Sequence, residues 1–157
     1  MKISLMTIWH CGNYGAEMQT YATVKALRKL RHDVEVLDFR LFESNHSLRS
    51  IVGRFLNAIT PAQRTFEKFW KKYIKNISCH YHNVAELRNN PPKSDVYLVG
   101  SDQVWNEDIT GDRSAAYLLD FGGENVKRIS YASSIGVSEW NFSQSYTEMA
   151  SKQFKKF

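Results

Sequence analysis

The chain has 157 residues, 43% of them hydrophobic, and a formal net charge of +5. That length supports one ordinary core, and no stretch approaches the roughly 20 apolar residues of a membrane span. The first ten residues, MKISLMTIWH, lack the apolar run and small-residue cleavage site of a signal peptide, so a cytoplasmic setting is expected.

The two cysteines, Cys11 and Cys79, are far apart, match no metal or redox spacing, and read as reduced thiols. The basicity is local. Between residues 49 and 75, Arg49, Arg54, Arg64, Lys68, Lys71, Lys72 and Lys75 face one acid, Glu67, so the charge belongs to one helix and its approach.

Ile3, Leu5 and Thr7 start a short strand that gives way to a glycine-punctuated turn over residues 10–15. The spacing next predicts a helix burying Met18, Tyr21, Ala22, Leu27 and Leu30, with Glu17 in its first turn and Lys25, Arg28, Lys29 and Arg31 toward its end. Residues 34–38 read as a second buried strand, and the unit requires a parallel pair with a right-handed crossover.

A loop is expected at residues 44–47 and a short helix over 48–59. Thr60, Pro61 and Gln63 then supply an N-cap, a first-turn proline and a capping-box partner for a helix carrying Phe66, Phe69, Trp70, Tyr73, Ile74 and Ile77 on one face. Lys68, Lys71, Lys72 and Lys75 lie opposite, the pattern of a solvated outer face, and no nucleic-acid partner is expected.

Residues 83–90 predict a short capped helix stopped by Pro91 and Pro92. Residues 95–99, 116–121 and 128–132 read as further strands, giving five in an α/β sheet. A last helix, capped by Ser145 with Glu148, carries Tyr146, Met149, Ala150, Phe154 and Phe157. That stripe still runs at the last residue, so the chain reads as cut within a helix. Its apolar side is an expected route to self-association or to a partner chain.

The most informative stretch is DVYLVGSDQVWN, residues 95–106. An apolar run with the character of a strand buried on both faces leads into a polar loop, at the place where open α/β sheets bind ligands. Gly100 permits a turn or a close approach, while Ser101, Asp102, Gln103 and Asn106 offer hydrogen-bonding groups. Trp105 offers a flat face of the kind sugars stack on. The blander alternative is that Asp102 and Asn106 cap the loop and Trp105 fills the core.

Three segments, HCGNYGAEMQTYAT, DVYLVGSDQVWN and YLLDFGGENVKRISYASSIG, together resemble the N-terminal half of the polysaccharide pyruvyl transferase family, along essentially the whole chain. The resemblance implies a Rossmann-like parallel sheet with flanking helices, the N-terminal domain of a GT-B-like pair facing each other across a cleft. It implies transfer of a pyruvyl group from phosphoenolpyruvate, as donor substrate rather than cofactor, to a sugar of a cell-surface polysaccharide. By the same resemblance, the residues gripping phosphoenolpyruvate lie largely in a second domain that these 157 residues do not contain. The chain is then an acceptor-binding half, inactive alone; the alternative is a non-catalytic module binding a saccharide or sugar phosphate.

By resemblance, Gly12, Asn13, Tyr14 and Gly15 match the first loop, with Gln19 one turn further in. Gly100, Ser101, Asp102, Gln103, Trp105 and Asn106 match the second, and Tyr131, Ala132, Ser133, Ser134 and Gly136 the third. Backbone N–H groups at a helix start suit an anion or a sugar hydroxyl. Asp102 is the carboxylate best suited to orient a sugar hydroxyl or accept its proton. His10 is a second catalytic candidate, although a lone histidine at a strand end is more often structural. Asp38 more simply caps a turn than holds a ribose, since the first loop lacks G-x-G-x-x-G. His80 and His82, two apart on a possible strand beside Cys79, have no further ligands at zinc-like spacing, and no metal is expected.

Overall fold

The computed structural model describes residues 1–41 and 61–157. The expected loop at 44–47, the short helix over 48–59, the Thr60 cap and the side chain of Gln63 lie outside the described residues. Five strands form one sheet: β1 (Lys2–Met6), β2 (Asp33–Phe39), β3 (Ile77–Tyr81), β4 (Val96–Gly100) and β5 (Lys127–Tyr131). All pairings are parallel, in the order β3-β2-β1-β4-β5. Ile3 of β1 stands between Val34 and Val96 of its two neighbours.

Alternation along the central strands divides the core. Ile3, Leu5, Val34, Val36, Val96 and Leu98 pack under α1 (Tyr14–Lys29) and α2 (Pro61–Phe69). Met6, Leu37, Phe39, Tyr97 and Val99 pack on the other side against Leu87 of α3 (Val84–Asn89) and the segment Ala116–Phe121. Apolar residues on both faces explain why these strands read as near-continuous apolar runs. Two short helices, α4 (Glu107–Thr110) and α5 (Ser114–Tyr117), follow β4, and α6 (Gln144–Phe154) closes the described chain. No described helix is long and apolar enough to cross a membrane.

The structure departs from the sequence reading in several places. Residues 116–121 form no strand: Ser114–Tyr117 is helical and Leu119 has φ +55°. A fully buried apolar run has the same composition whether helical or extended, and here Arg128 decides. Its guanidinium, 4% exposed, donates to the carbonyls of Leu119 (3.1 Å), Phe121 (2.8 Å) and Val126 (3.0 Å), drawing the chain into a loop. The fifth strand is instead Ile77–Tyr81 at the sheet edge, over the possible strand around His80 that the five had not included, where Ser78, Cys79 and His80 give little apolar signal.

The buried face of α1 is Glu17, Thr20 and Val24, while Met18 and Leu30 are exposed. Its phase is set by a buried carboxylate that hydropathy assigns to water. Ser143, not Ser145, caps α6, its Oγ accepting from Tyr146 N (3.2 Å). The helix ends at Phe154, and its last turn is followed by Phe157 packed on Trp105 at 5.9 Å between ring centroids.

At its far end α2 widens into a π-helical turn, Trp70–Ile74. Phe66, Trp70 and Ile74 are buried as expected, Tyr73 is exposed, and Ile77 belongs to β3.

A candidate cleft between two strand ends

In this strand order the connection from β1 leaves toward β2 and that from β4 toward β5, so the carboxyl ends of β1 and β4 flank the point where the winding reverses. Open α/β sheets bind ligands in that crevice. The chain has a cleft of about 510 Å3 there, lined by Ile8, Cys11, Asn13, Gly15, Ala16, Gln19, Ser101, Asp102, Gln103 and Ile109.

The floor comes from the start of α1. Asn13 is its N-cap, with Oδ1 accepting from Gly15 N (2.8 Å) and Ala16 N (3.3 Å), which fixes how the loop enters the helix. One turn on, Gln19 Oε1 accepts from Ser101 Oγ (3.3 Å), tying the first loop to the second. Tyr14 turns away: its ring packs 4.8 Å from that of Phe66, between centroids, and does not line the cleft.

The opposite wall leaves β4 through a backbone that needs its small residues. A Cβ on Gly100 would stand 3.0 Å from the Tyr131 carbonyl oxygen of β5, and Ser101 takes φ +119°. Asp102, exposed, accepts from Ser134 Oγ (2.9 Å), while Ser134 N donates to the Asp102 carbonyl (3.4 Å) and Trp105 N to that of Ser134 (3.2 Å). The loops after β4 and β5 are thereby laced together, and one carboxylate oxygen of Asp102 stays clear of that lacing. Gly136, at φ +70°, leaves the space that Gln103 fills, since a side chain there would collide with it.

Two residues of this loop point elsewhere. Trp105 is half-buried, donates Nε1–H to the Tyr117 carbonyl (3.2 Å) and packs on Phe154 of α6. Asn106, 5% exposed, caps α4 by accepting from Asp108 N (3.0 Å). Ser133 donates to the Val99 carbonyl (3.3 Å), beside the cleft rather than in it.

The family to which the chain belongs comes from comparison with known proteins. The family model described as polysaccharide pyruvyl transferase matches residues 13–157. The chain belongs to the polysaccharide pyruvyl transferase family. No curated protein and no solved structure matches it. The match begins at Asn13 and so takes in every cleft residue except Ile8 and Cys11.

His10, the other catalytic candidate, lies apart from Asp102. It takes φ +61° and lines a smaller cavity of about 290 Å3 with Trp9, Asp38, Arg40, Glu67 and Trp70. Its ring lies 4.1 Å from that of Trp70, and burial, aided by the Arg40 charge, lowers its pKa. Beneath it Glu17 accepts from His10 N (3.0 Å) and from Trp70 Nε1 (2.6 Å). Burial raises the Glu17 pKa, against the pull of those donors.

Burial also acts on Asp38, but the bidentate Arg40 (2.9 and 3.0 Å) and His80 (3.2 Å) outweigh it and lower its pKa. His80 thus stands against Asp38, and among the described residues no three His, Cys, Asp or Glu are grouped to hold a metal. The residues that hydropathy and motif reading missed are Cys11, whose thiol pKa burial raises, and Glu17. Both lie within the first quoted motif, where Glu17 was read only as a first-turn acid; nothing in the hydropathy spacing marked its burial.

Proposed function

We propose that the cleft between β1 and β4 is the acceptor site of a pyruvyl transferase, holding a saccharide whose hydroxyl is oriented by Asp102. One observation carries this reading: an exposed carboxylate, braced by Ser134 and next to Gln103, shares a cleft with Asn13 and Gln19 that, among the described residues, no lysine or arginine lines. A neutral polyol matches that chemistry of amide and carboxylate groups. A phosphate- and carboxylate-bearing donor would call for guanidinium or ammonium groups.

In the reaction two sugar hydroxyls add to C2 of phosphoenolpyruvate. One of their protons goes to the vinyl CH2, making a methyl group, the other leaves with the phosphate, and the C2–O phosphate ester bond breaks. Asp102 accepts or orients the first of these protons. The cationic groups that neutralise donor and leaving phosphate would come from a second Rossmann-like half facing this cleft, the GT-B-like arrangement.

That no described residue lining the cleft is a lysine or arginine also favours a second reading, a saccharide-binding module without chemistry. The test is a titration of the chain with neutral hexose oligosaccharides and with phosphoenolpyruvate, followed by phosphate release when both are present. Sugar binding that weakens in Asp102→Ala supports the acceptor site, and released phosphate rules out the module. Binding of phosphoenolpyruvate but of no sugar would overturn the assignment.

A further inference from the structure

The seam between α1 and α2 is closed by aromatic rings, yet its outer rim stands open to water. Tyr14 packs on Phe66 (4.8 Å between centroids), and Tyr21 on Phe69 (5.5 Å) and Tyr73 (5.6 Å). Tyr14 is nevertheless 63% exposed, Met18 48% and Tyr73 41%. A solvated helix face needs lysines, but it does not need large apolar side chains left in water beside them.

The lysines lie on this rim. Lys25 Nζ stands 5.5 Å from the Tyr21 ring centroid and Lys72 Nζ 5.0 Å from that of Tyr73. Arg64 and Lys68, also on α2, are exposed. Along α2 and its π-helical turn the acid is Glu67, and on α1 it is the buried Glu17. The surface therefore combines an apolar, mainly aromatic stripe with an excess of flexible cations. Aromatic rings sit at the depth of lipid headgroups, and lysine stems run along apolar surface while their ammonium groups stay wet.

We infer that the α1–α2 seam docks on a membrane surface bearing anionic lipids. Charge complementarity selects this occupant: a second copy of the chain would bring like charge against like, whereas an anionic leaflet attracts each lysine near it. The seam also meets the cleft, because Tyr14 lies between Asn13 and Gly15, which line it. Docking would hold the cleft at the lipid surface, where a saccharide carried on a lipid would be presented. That last step rests on the acceptor-site reading; the docking itself does not.

The test is co-sedimentation of the full chain with phosphatidylcholine vesicles and with vesicles containing phosphatidylglycerol. Binding is expected only to the anionic vesicles and should fall with salt. Lys68→Ala and Lys72→Ala should each weaken it about fivefold. Met18→Ser with Tyr73→Ser, both exposed positions, should weaken it at least as much while the far-UV spectrum and melting temperature hold. Asp102→Ala should leave vesicle binding intact, and the seam variants should leave saccharide binding in solution intact, so the two readings fail separately. No binding at low salt, equal binding of the Met18/Tyr73 variant, or a dimer abolished by these same changes would overturn the proposal.

Discussion

Two cavities open along the same edge of the sheet, one on either side of β1, and they spend their polar groups differently. In the smaller one the charges satisfy each other: Asp38 is gripped by Arg40 and His80, and Glu17 takes both the His10 N–H and the Trp70 indole N–H. In the larger one the bonds run between loops, Ser101 to Gln19 and Ser134 to Asp102. The first is held together by its polar contacts. The second is shaped by them and keeps acceptor and donor capacity for a ligand. A cluster of titratable residues with shifted pKa values can therefore be structural and is not by itself evidence of a site.

The sharpest way to break this contrast is Trp70→Ala. It removes a ring that is 5% exposed and takes one of two donors from a buried carboxylate. We expect a loss of about 3–5 kcal/mol in urea unfolding. A loss below about 1 kcal/mol would show that the smaller cavity is not structural.

Asp38→Asn comes next, at about 1–3 kcal/mol near neutral pH, because a charged, hydrogen-bonded pair is broken. Its pH dependence has a definite sign. The folded-state pKa of Asp38 lies below the ordinary 3.8, so its stabilisation is complete above that value and is lost as pH falls toward the folded one. The variant should unfold with a shallower acid limb. Glu17 acts in the opposite sense: its folded pKa lies above the ordinary 4.5, so its contribution is greatest below 4.5 and is lost as pH rises through the folded value.

Gly136→Ala should cost about 1–2 kcal/mol for a left-handed backbone carrying a Cβ. It also displaces Gln103, so saccharide affinity should fall by more than the stability change alone accounts for. Asp102→Ala should change stability least, by no more than about 1 kcal/mol, since its bond to Ser134 is exposed. It should nevertheless weaken saccharide binding about tenfold or more. Matched losses of stability and affinity in Asp102→Ala would erase the distinction between the cavities.

Local signals were legible where the physics is local. The apolar runs of β1, β2 and β4, the capped start of α3 and the glycines of the first loop could be read directly, because burial on both faces and helix starts leave composition and spacing behind. The polar loop after β4 was legible for the same reason. What it would do was only half legible. Gln19, Ser101, Asp102 and Gln103 meet in the cleft, whereas Trp105 and Asn106, equally polar-tipped in the sequence, turn inward to serve α6 and α4.

By itself the sequence determined an α/β chain of one core, its motifs and the order in which they occur. Tertiary structure alone decided which residues share a cavity. The phase of α1 turned on Trp70, 53 residues from Glu17, and the loop over residues 118–126 on the reach of Arg128. The separation of His10 from Asp102 turned on which neighbours β1 acquired. Each depends on a contact between segments remote in the chain, and hydropathy spacing, which weighs a residue against its near neighbours, carries no record of such contacts.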